Sequence, residues 1–368
     1  MSPDYANFQL WDSVQGLCSY VRGTLSTAAL LTAAGLGGEG SNAAAVSATL
    51  NFVARDMVGH LCGLAFSFAK GHQLDAAAKQ WRFAADCLNN LGLLLHMLAP
   101  ALPRALFVPT ICVASVAHAI TGVAGGATRT ALTAHFAING NAGELASKES
   151  AQETGVTLIG MALGYLFMSL TAASMRAQWF VFLFLTGLHV AANYKAMRAL
   201  HMKSLNSERF TMLAAHFCRT GNVLTPAEIA ARESLLPLRP PSFLSKLLHH
   251  NVPRVRLGVP LSALGATRPG ITRRRGCPWL FSDKGDASLV ALSGDSFPEP
   301  LTSTQAASFI VEAVASRSVR GTAAGRHQTG GSADVLEDLC VKLIETGWGN
   351  PLVFILDDLD EGHRFDED

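Results

Sequence analysis

Residues 105–128, ALFVPTICVASVAHAITGVAGGAT, decide the fold, because 24 positions stand between Arg104 and Arg129 without an Asp, Glu, Lys or Arg. Wound as a helix the stretch is about 36 Å long, enough to cross a hydrocarbon core of about 30 Å. Its glycines, at 122, 125 and 126, raise a rival reading as a phosphate-binding loop. A Walker-type loop needs a strand before it and Gly-Lys-Ser/Thr at its end, where lysine and hydroxyl meet phosphate and metal. Here a 17-residue apolar run precedes Gly122, and Arg129 follows Ala127 and Thr128 with no lysine nearby. The dinucleotide fingerprint fails too, since no G-x-G precedes a third glycine at the right offset. The stretch therefore reads as a packed apolar helix.

Working outward, two more charge-free gaps follow: 22 residues between Glu153 and Arg176, and 18 between Arg176 and Lys195, the last with Trp179 and Tyr194 near its ends. Aromatic residues at such ends suit a membrane interface. Segments 24–38, 41–68 and 87–103 are also apolar, but short or interrupted by Arg55, Asp56 and prolines. The expected architecture is mainly α: a membrane-embedded bundle of three to six apolar helices. Composition agrees, with 15% charged residues and a mean hydropathy of +0.26, against roughly 25% charged in an ordinary soluble domain. Gly59 with Gly63, Gly122 with Gly126, and Gly160 with Gly164 form small-xxx-small pairs, a device that lets helix backbones approach closely in lipid.

Net charge is +1, which speaks against nucleic acid as a partner. Charge is concentrated, however: Lys195 to Arg275 holds fourteen Lys or Arg against three Glu. Such a basic segment beside a last membrane helix is expected on the cytosolic side. Within it, 195–219 reads as one amphipathic helix, and Thr225-Pro226-Ala227-Glu228 has the form of a capping box that starts another. Residues 237–244 (PLRPPSFL), 267–278 and 318–332 read as linker or loop. WLFSD, SLVALSGD and PLVFILDD read as strands, and 303–317 and ADVLEDLCVKLIETG as helices. The expected division is a helical family core at 1–220, a basic helical linker at 221–276, and a small soluble α+β module at 277–368.

The seven cysteines are scattered without a CxxC or a Cys/His cluster, so they are expected as reduced thiols of an intracellular protein, with no metal site. The amino terminus, MSPDYANFQLWD, has neither the form of a secretory signal nor that of an Arg-rich transit peptide.

Scarce ionisable groups in an apolar bundle are site candidates by default. After the glycines come Arg129 and His135, then INGNAGELASKESAQET, read as a polar loop with Asn139-Gly140 as its turn and Ser150/Glu153 at capping-box spacing before the next helix. The bland reading is a solvated loop. The functional one gathers Arg129, Lys148, Gln152 and Glu153 at one mouth of the bundle to bind a small polar or anionic ligand. A second constellation is Lys79, Arg82 and Asp86, at i, i+3 and i+7 on one helical face, with Arg82 and Asp86 able to pair. It reads as an ion-pair network or a basic anion site, and Arg55-Asp56 is similar. Catalytic signatures such as GxSxG and HExxH are absent, and no enzyme activity or cofactor is expected. Isolated histidines such as His96, His118 and His189 read as packed residues.

The motifs DYANFQLWD (4–12), LDAAAKQWRFAAD (74–86), GVAGGATRTALTAHFA (122–137), SKESAQET (147–154), NYKAMRALHMKSLN (193–206) and TGNVLTPAEIAARE (220–233) together resemble the Root UVB Sensitive family. The resemblance implies an intracellular, predicted membrane protein linked to vitamin B6 homeostasis and development, one that pairs with itself or with a family member and has no established enzymatic activity. The likeness starts almost at the first residue, so plastid targeting is not expected, and a mitochondrial or other internal membrane is. Two functions follow as expectations: a transporter-like bundle for a small polar or anionic metabolite, such as a B6 vitamer, lined by Arg55, Lys79, Arg82, Arg129 and Lys148; or a non-catalytic adaptor that recruits a partner through its carboxy-terminal module. A third reading, a pyridoxal-phosphate enzyme using Lys79 or Lys148, lacks the fold pattern such enzymes use.

Overall fold

A computed structural model describes residues 1–36, 42–235, 254–257, 271–272, 279–284, 287–293, 307, 310–311, 332–348, 354–355 and 364–365. The chain divides into two compact units, Met1–Leu200 with Leu235–Pro237, and His201–Ser234 with Leu238–Asp368.

The first unit is helical: α1 (Tyr5–Ala33), α2 (Asn42–Leu74), α3 (Ala78–Leu98), α4 (Arg104–Phe136), α5 (Ala142–Thr171) and α6 (Met175–Ala199). α1 packs against α3, α5 and α6, while α4 packs against α3 and α2. The turns between helices carry their own reasons. A single 3-10 turn, Ala99–Ala101, and Pro103 separate α3 from α4. Gly140, at φ +68°, supplies the left-handed residue that reverses the chain into α5. Ser174 caps α6 by accepting from the Ala177 amide.

Among the described residues three helices are long and apolar enough to cross a membrane: α4, α5 and α6. They overlap the charge-free gaps of the sequence, and the bundle exposes large apolar side chains while burying several polar ones. Leu158, Ile159, Met161, Tyr165 and Leu170 of α5 and Phe180, Leu183 and Phe184 of α6 point outward, while Gln15, Arg22, Asn90, His189 and Asn193 are buried. In water, exposed apolar faces of this extent are rare and buried polar groups costly. Between these two extremes, Leu25, Ala29, Met97 and Phe182 form an apolar cluster of α1, α3 and α6.

Two expectations about local structure are corrected. The polar loop predicted over 138–154 shrinks to Ile138–Asn141, because α5 already begins at Ala142. Ser150 and Glu153 therefore lie inside a helix; their spacing is also the i,i+3 spacing of a helix interior, and Ala, Glu, Lys and Gln in this stretch are good helix formers. The helix predicted over 195–219 is two. α6 stops at Ala199, and α7 (Ser207–Thr220) starts afresh with Asn206 as a cap that accepts from the Arg209 amide.

Of the glycines read as packing positions, two pairs stand close to a neighbouring helix. A methyl added at Gly160 would stand 2.7 Å from Tyr20 Cβ, and one at Gly164 2.6 Å from Thr24 Oγ1, so α5 approaches α1 there. Gly59 and Gly63 sit against Ser115 and Ala119 of α4. Gly122 and Gly126 do not pack: a Cβ at either meets nothing within 4 Å. A conventional small-xxx-small spacing marks a face on which close approach is permitted, and here no neighbour uses it.

In the second unit α7 and α8 (Pro226–Arg232) share a core with Ala307, Ile310, Val311 and α9 (Ser332–Glu345), built on Phe210, Leu213, Phe217, Ile229, Ile310, Leu339, Leu343 and Trp348. The Trp348 indole donates to the Leu224 carbonyl at 2.8 Å. The capping box predicted at Thr225 is present in full, with Pro226 in the first turn, and Gly221, at φ +72°, ends α7. Arg209 lies buried beside Glu233 at 2.7 Å. β1 (Leu205–Asn206) pairs parallel with β6 (Phe354–Ile355). β2 (Arg254–Leu257), β3 (Ile271–Thr272), β4 (Trp279–Lys284), β5 (Ala287–Ser293) and β7 (Arg364–Phe365) form one sheet, in which β4 and β5 are antiparallel. The strands read in WLFSD, SLVALSGD and PLVFILDD thus have counterparts, as does the helix of ADVLEDLCVKLIETG. The linker at 237–244, Cys277, and most of 303–317 and 318–332 lie outside the described residues.

Candidate functional site

Between α1, α3, α4 and α5 the first unit holds a cavity of about 360 Å³, a size that suits a small-molecule ligand. Each helix contributes one face. α1 presents Phe8, Asp12, Gln15, Ser19 and Tyr20; α3 presents Arg82 and Asp86; α4 presents Gly125, Gly126, Arg129 and Thr133; α5 presents Glu149, Gln152 and Glu153. The spacing of three and four residues on every element is what puts these side chains on common faces.

Arg129 pairs with Glu153 at 2.8 Å, both well exposed. Further in, Arg82 reaches Asp12 at 3.3 Å and stands 3.9 Å from Asp86. Thr133 donates to Glu149 at 3.2 Å, and the Gln152 amide donates to Ser13 at 2.9 Å. Gln15 lies beside Asp86. The lining thus carries four carboxylates, Asp12, Asp86, Glu149 and Glu153, against two guanidinium groups, Arg82 and Arg129. Such a wall holds both signs of charge, with the negative in excess.

Of the residues singled out from the sequence, Arg82, Asp86, Arg129, Gln152 and Glu153 meet in this cavity. The others do not. Arg55 pairs at 2.8 Å with its neighbour Asp56 on the outer side of α2. Lys79 is buried and donates to the Leu200 carbonyl at 2.9 Å, so it does not share the Arg82–Asp86 surface. Lys148 is exposed and bonds Glu144 at 2.6 Å, one turn back on α5. His135 bonds Asp4 at 2.9 Å, which with Ser2 fastens the start of the chain to the end of α4. Neither Lys79 nor Lys148 lines the cavity. The glycines at 125 and 126 have their use here: without side chains they leave room in its wall.

Sequence reasoning missed Asp12, Gln15 and Glu149. The signal was present in α1, where Asp12, Gln15, Ser19, Arg22 and Ser26 recur every three or four residues in a helix otherwise rich in apolar side chains. His189 is buried as expected, but neither ring nitrogen has a hydrogen-bond partner. Among the described residues no group of His, Cys, Asp and Glu has the arrangement of a metal site.

A family model described as the vitamin B6 photo-protection and homoeostasis domain matches residues 1–221. The chain is similar to Protein root UVB sensitive 3 of Arabidopsis thaliana, 45% identical over 267 residues that cover 72% of this chain and 59% of the relative. It is 39% identical to RUS family member 1 of Dictyostelium discoideum over 239 residues, 64% of this chain and 45% of the relative. To Protein root UVB sensitive 2, chloroplastic, of Arabidopsis thaliana it is 30% identical over 237 residues, 64% of this chain and 53% of the relative. The chain spans about half the length of these curated relatives. No solved structure matches it.

Proposed function

The chain belongs to the Root UVB sensitive family, the family of the vitamin B6 photo-protection and homoeostasis domain, and from that premise we propose that its first unit is a membrane bundle that binds a B6 vitamer or a similar small polar metabolite and carries it across. The observation that supports this reading is the cavity: charged groups converge from four helices on one space of ligand size. The outward apolar faces of α5 and α6 support the membrane setting. A lining of both signs suits a molecule of both signs, with its cationic nitrogen toward Asp12, Asp86 and Glu149 and its anionic group toward Arg129. Of the small polar or anionic ligand expected from the sequence, the anionic alternative fits less well.

The membrane is an intracellular one in this reading, and the bundle associates there with a second copy or a relative. Val46, Leu50, Val53, Met57, Leu61, Leu64 and Phe68, exposed along α2 at spacings of three and four, support that association. Reconstitution into vesicles tests the main proposal. Uptake of pyridoxine or pyridoxamine should exceed that of empty vesicles and fall at least about tenfold in Arg82→Ala, a loss on the order of 1.4 kcal/mol. Equal flux in both and in empty vesicles rejects it.

An adaptor is the second reading, and the separate core of the second unit supports it. We take residues 277–368 to supply an α+β module to that unit. Deleting them should abolish function if the chain is an adaptor and leave vitamer uptake largely intact if it is a transporter.

A further inference from the structure

The cavity does not end at Arg82 and Asp86. From its floor a polar seam continues between α1, α3 and α6, whose register is fixed by a ladder of contacts. Lys195 of α6 lies over the Trp11 ring of α1 at 4.2 Å. Arg82 meets Asp12, and Gln15 meets Asp86. Deeper, Arg22 of α1 donates to Asn90 of α3 at 2.6 Å and to Thr186 of α6 at 3.3 Å. From Asp12 to Arg22 the seam runs about 15 Å at helical rise. The apolar cluster of Leu25, Ala29, Met97 and Phe182 lies beyond it.

Arg22 closes the seam rather than serving as its ligand. It is fully buried, and its donors go to Cys18, Ser19, Asn90 and Thr186, all neutral oxygens. Between that guanidinium and the cavity lie polar atoms that have no hydrogen-bond partner, Gln15 Oε1, Asn193 Oδ1 and both ring nitrogens of His189, together with Asp86 Oδ2, which Arg82 Nε approaches only to 3.9 Å. Gln15, Asn193 and His189 are 5%, 1% and 0% exposed. Buried polar groups are ordinarily satisfied, so a cluster of exceptions on one seam calls for a guest.

The chemistry of the exceptions selects the guest. Two of them are amide oxygens that only accept, and the carboxyl of Asp86, which Arg82 Nε approaches only to 3.9 Å, is beyond hydrogen-bond reach of that donor. An anion would add acceptors where acceptors already lack donors. A primary ammonium brings three N–H donors and no acceptor, and the charge of Arg22 bars it from going deeper. We propose that the seam bounded by Gln15, Asp86, His189 and Asn193 is an inner subsite for a primary ammonium group. This deepens the transporter reading, because it assigns the cationic end of the substrate to α1, α3 and α6 while its remainder occupies the cavity.

Small thiol reagents test it on the full chain in lipid nanodiscs, with the native cysteines replaced by Ala or Ser. Asn193→Cys and, as a second position, Gln15→Cys are exposed to aminoethyl methanethiosulfonate, whose head is itself a primary ammonium, and to the sulfonatoethyl reagent, an anion. Each rate is divided by that on free mercaptoethanol. The ammonium reagent should be faster by about tenfold or more at both positions, and Asp86→Asn should remove most of that preference. Equal rates, a faster anion, or no reaction at either position overturns the subsite. If Asp86→Asn fails to fold, the comparison of the two reagents decides alone. Pyridoxamine as a competitor separates this inference from the reading beneath it. Preference for ammonium without protection by pyridoxamine keeps the subsite and removes the vitamer. Uptake of vitamer without reagent preference does the reverse.

Discussion

Arg82 on α3 reaches across to Asp12 on α1, guanidinium to carboxylate at 3.3 Å, while its own Nε stands 3.9 Å from Asp86 one turn further along α3. One cation thus serves two carboxylates, and the second is held without a full hydrogen bond to it. The relationship ties the packing of α1 on α3 to the charge at the cavity floor, so a change at Arg82 is felt in both stability and binding.

That coupling can be measured. Removing one partner of a part-buried pair leaves a charge uncompensated, so Arg82→Ala and Asp12→Ala should each lower the thermal midpoint of the detergent-solubilised chain. The double variant should lie close to the worse single one, with a coupling of about 0.5–3 kcal/mol in the cycle. Full additivity of the two losses would show that the pair contributes nothing to the α1–α3 contact.

The glycines separate packing from cavity. Gly160→Ala drives a methyl to 2.7 Å from Tyr20 Cβ, an atom next to the backbone that cannot swing away. Overpacking of this kind costs about 1–3 kcal/mol. Gly122→Ala and Gly126→Ala meet nothing within 4 Å, and in a helix the change from Gly to Ala gains about 0.5–1 kcal/mol. Thermal midpoints should therefore fall for the first and hold or rise for the other two. A bulky side chain at Gly126, by contrast, should leave the midpoint near wild type and block ligand binding.

How much of this was legible in the chain follows from what each signal depends on. Charge-free gaps depend only on local composition, so the apolar runs at the heart of α4, α5 and α6 could be read from the sequence, while the first turns of α5, polar and charged, could not. The capping box at Thr225 is likewise local. The cavity is not, because its walls come from α1, α3, α4 and α5 together, and no single window contains Asp12, Arg82 and Arg129. Ser150 and Glu153 misled because a cap and a helix interior share the same three-residue spacing. Gly122 and Gly126 misled because spacing shows which face is smooth and says nothing about whether a neighbour comes to it. Lys79 and Arg82, three residues apart, part company because Leu200, just past the end of α6, offers its carbonyl to one and α1 offers Asp12 to the other.

In the second unit the Arg209–Glu233 pair is buried on both sides, each side chain 3% exposed. Arg209 also donates to the Ser204 carbonyl at 2.9 Å, so the pair joins the chain before α7 to the chain after α8. Glu233→Ala leaves a buried guanidinium without its counter-charge, at a cost of about 3–5 kcal/mol. Replacing both residues with apolar side chains of similar volume should recover most of that loss. Denaturant unfolding of the full chain, with Trp11, Trp81, Trp179 and Trp279 replaced by Phe so that the fluorescence is that of Trp348 in the same core, reads both; equal loss in the single and the double variant would contradict the pairing.

Glu228 predicts a pH response of known sign. Its carboxylate accepts from the Thr225 amide at 2.8 Å and from the Thr225 hydroxyl at 2.9 Å, and these bonds, the backbone one foremost, hold its pKa below the ordinary glutamate value. A group whose folded pKa is depressed stabilises the fold above its unfolded pKa and loses that contribution as pH falls through the folded one. The start of α8 should therefore be firm at neutral pH and fray in acid. Amide hydrogen exchange, expressed as protection factors so that intrinsic pH effects cancel, should show protection at Thr225 and Glu228 declining through the carboxylate range. Glu228→Gln keeps an acceptor without a titrating group, so its protection should be flat with pH; Glu228→Ala should be weakly protected throughout. A wild-type profile that is flat while the Gln variant matches it would mean that water, and not the carboxylate, satisfies the first turn of α8.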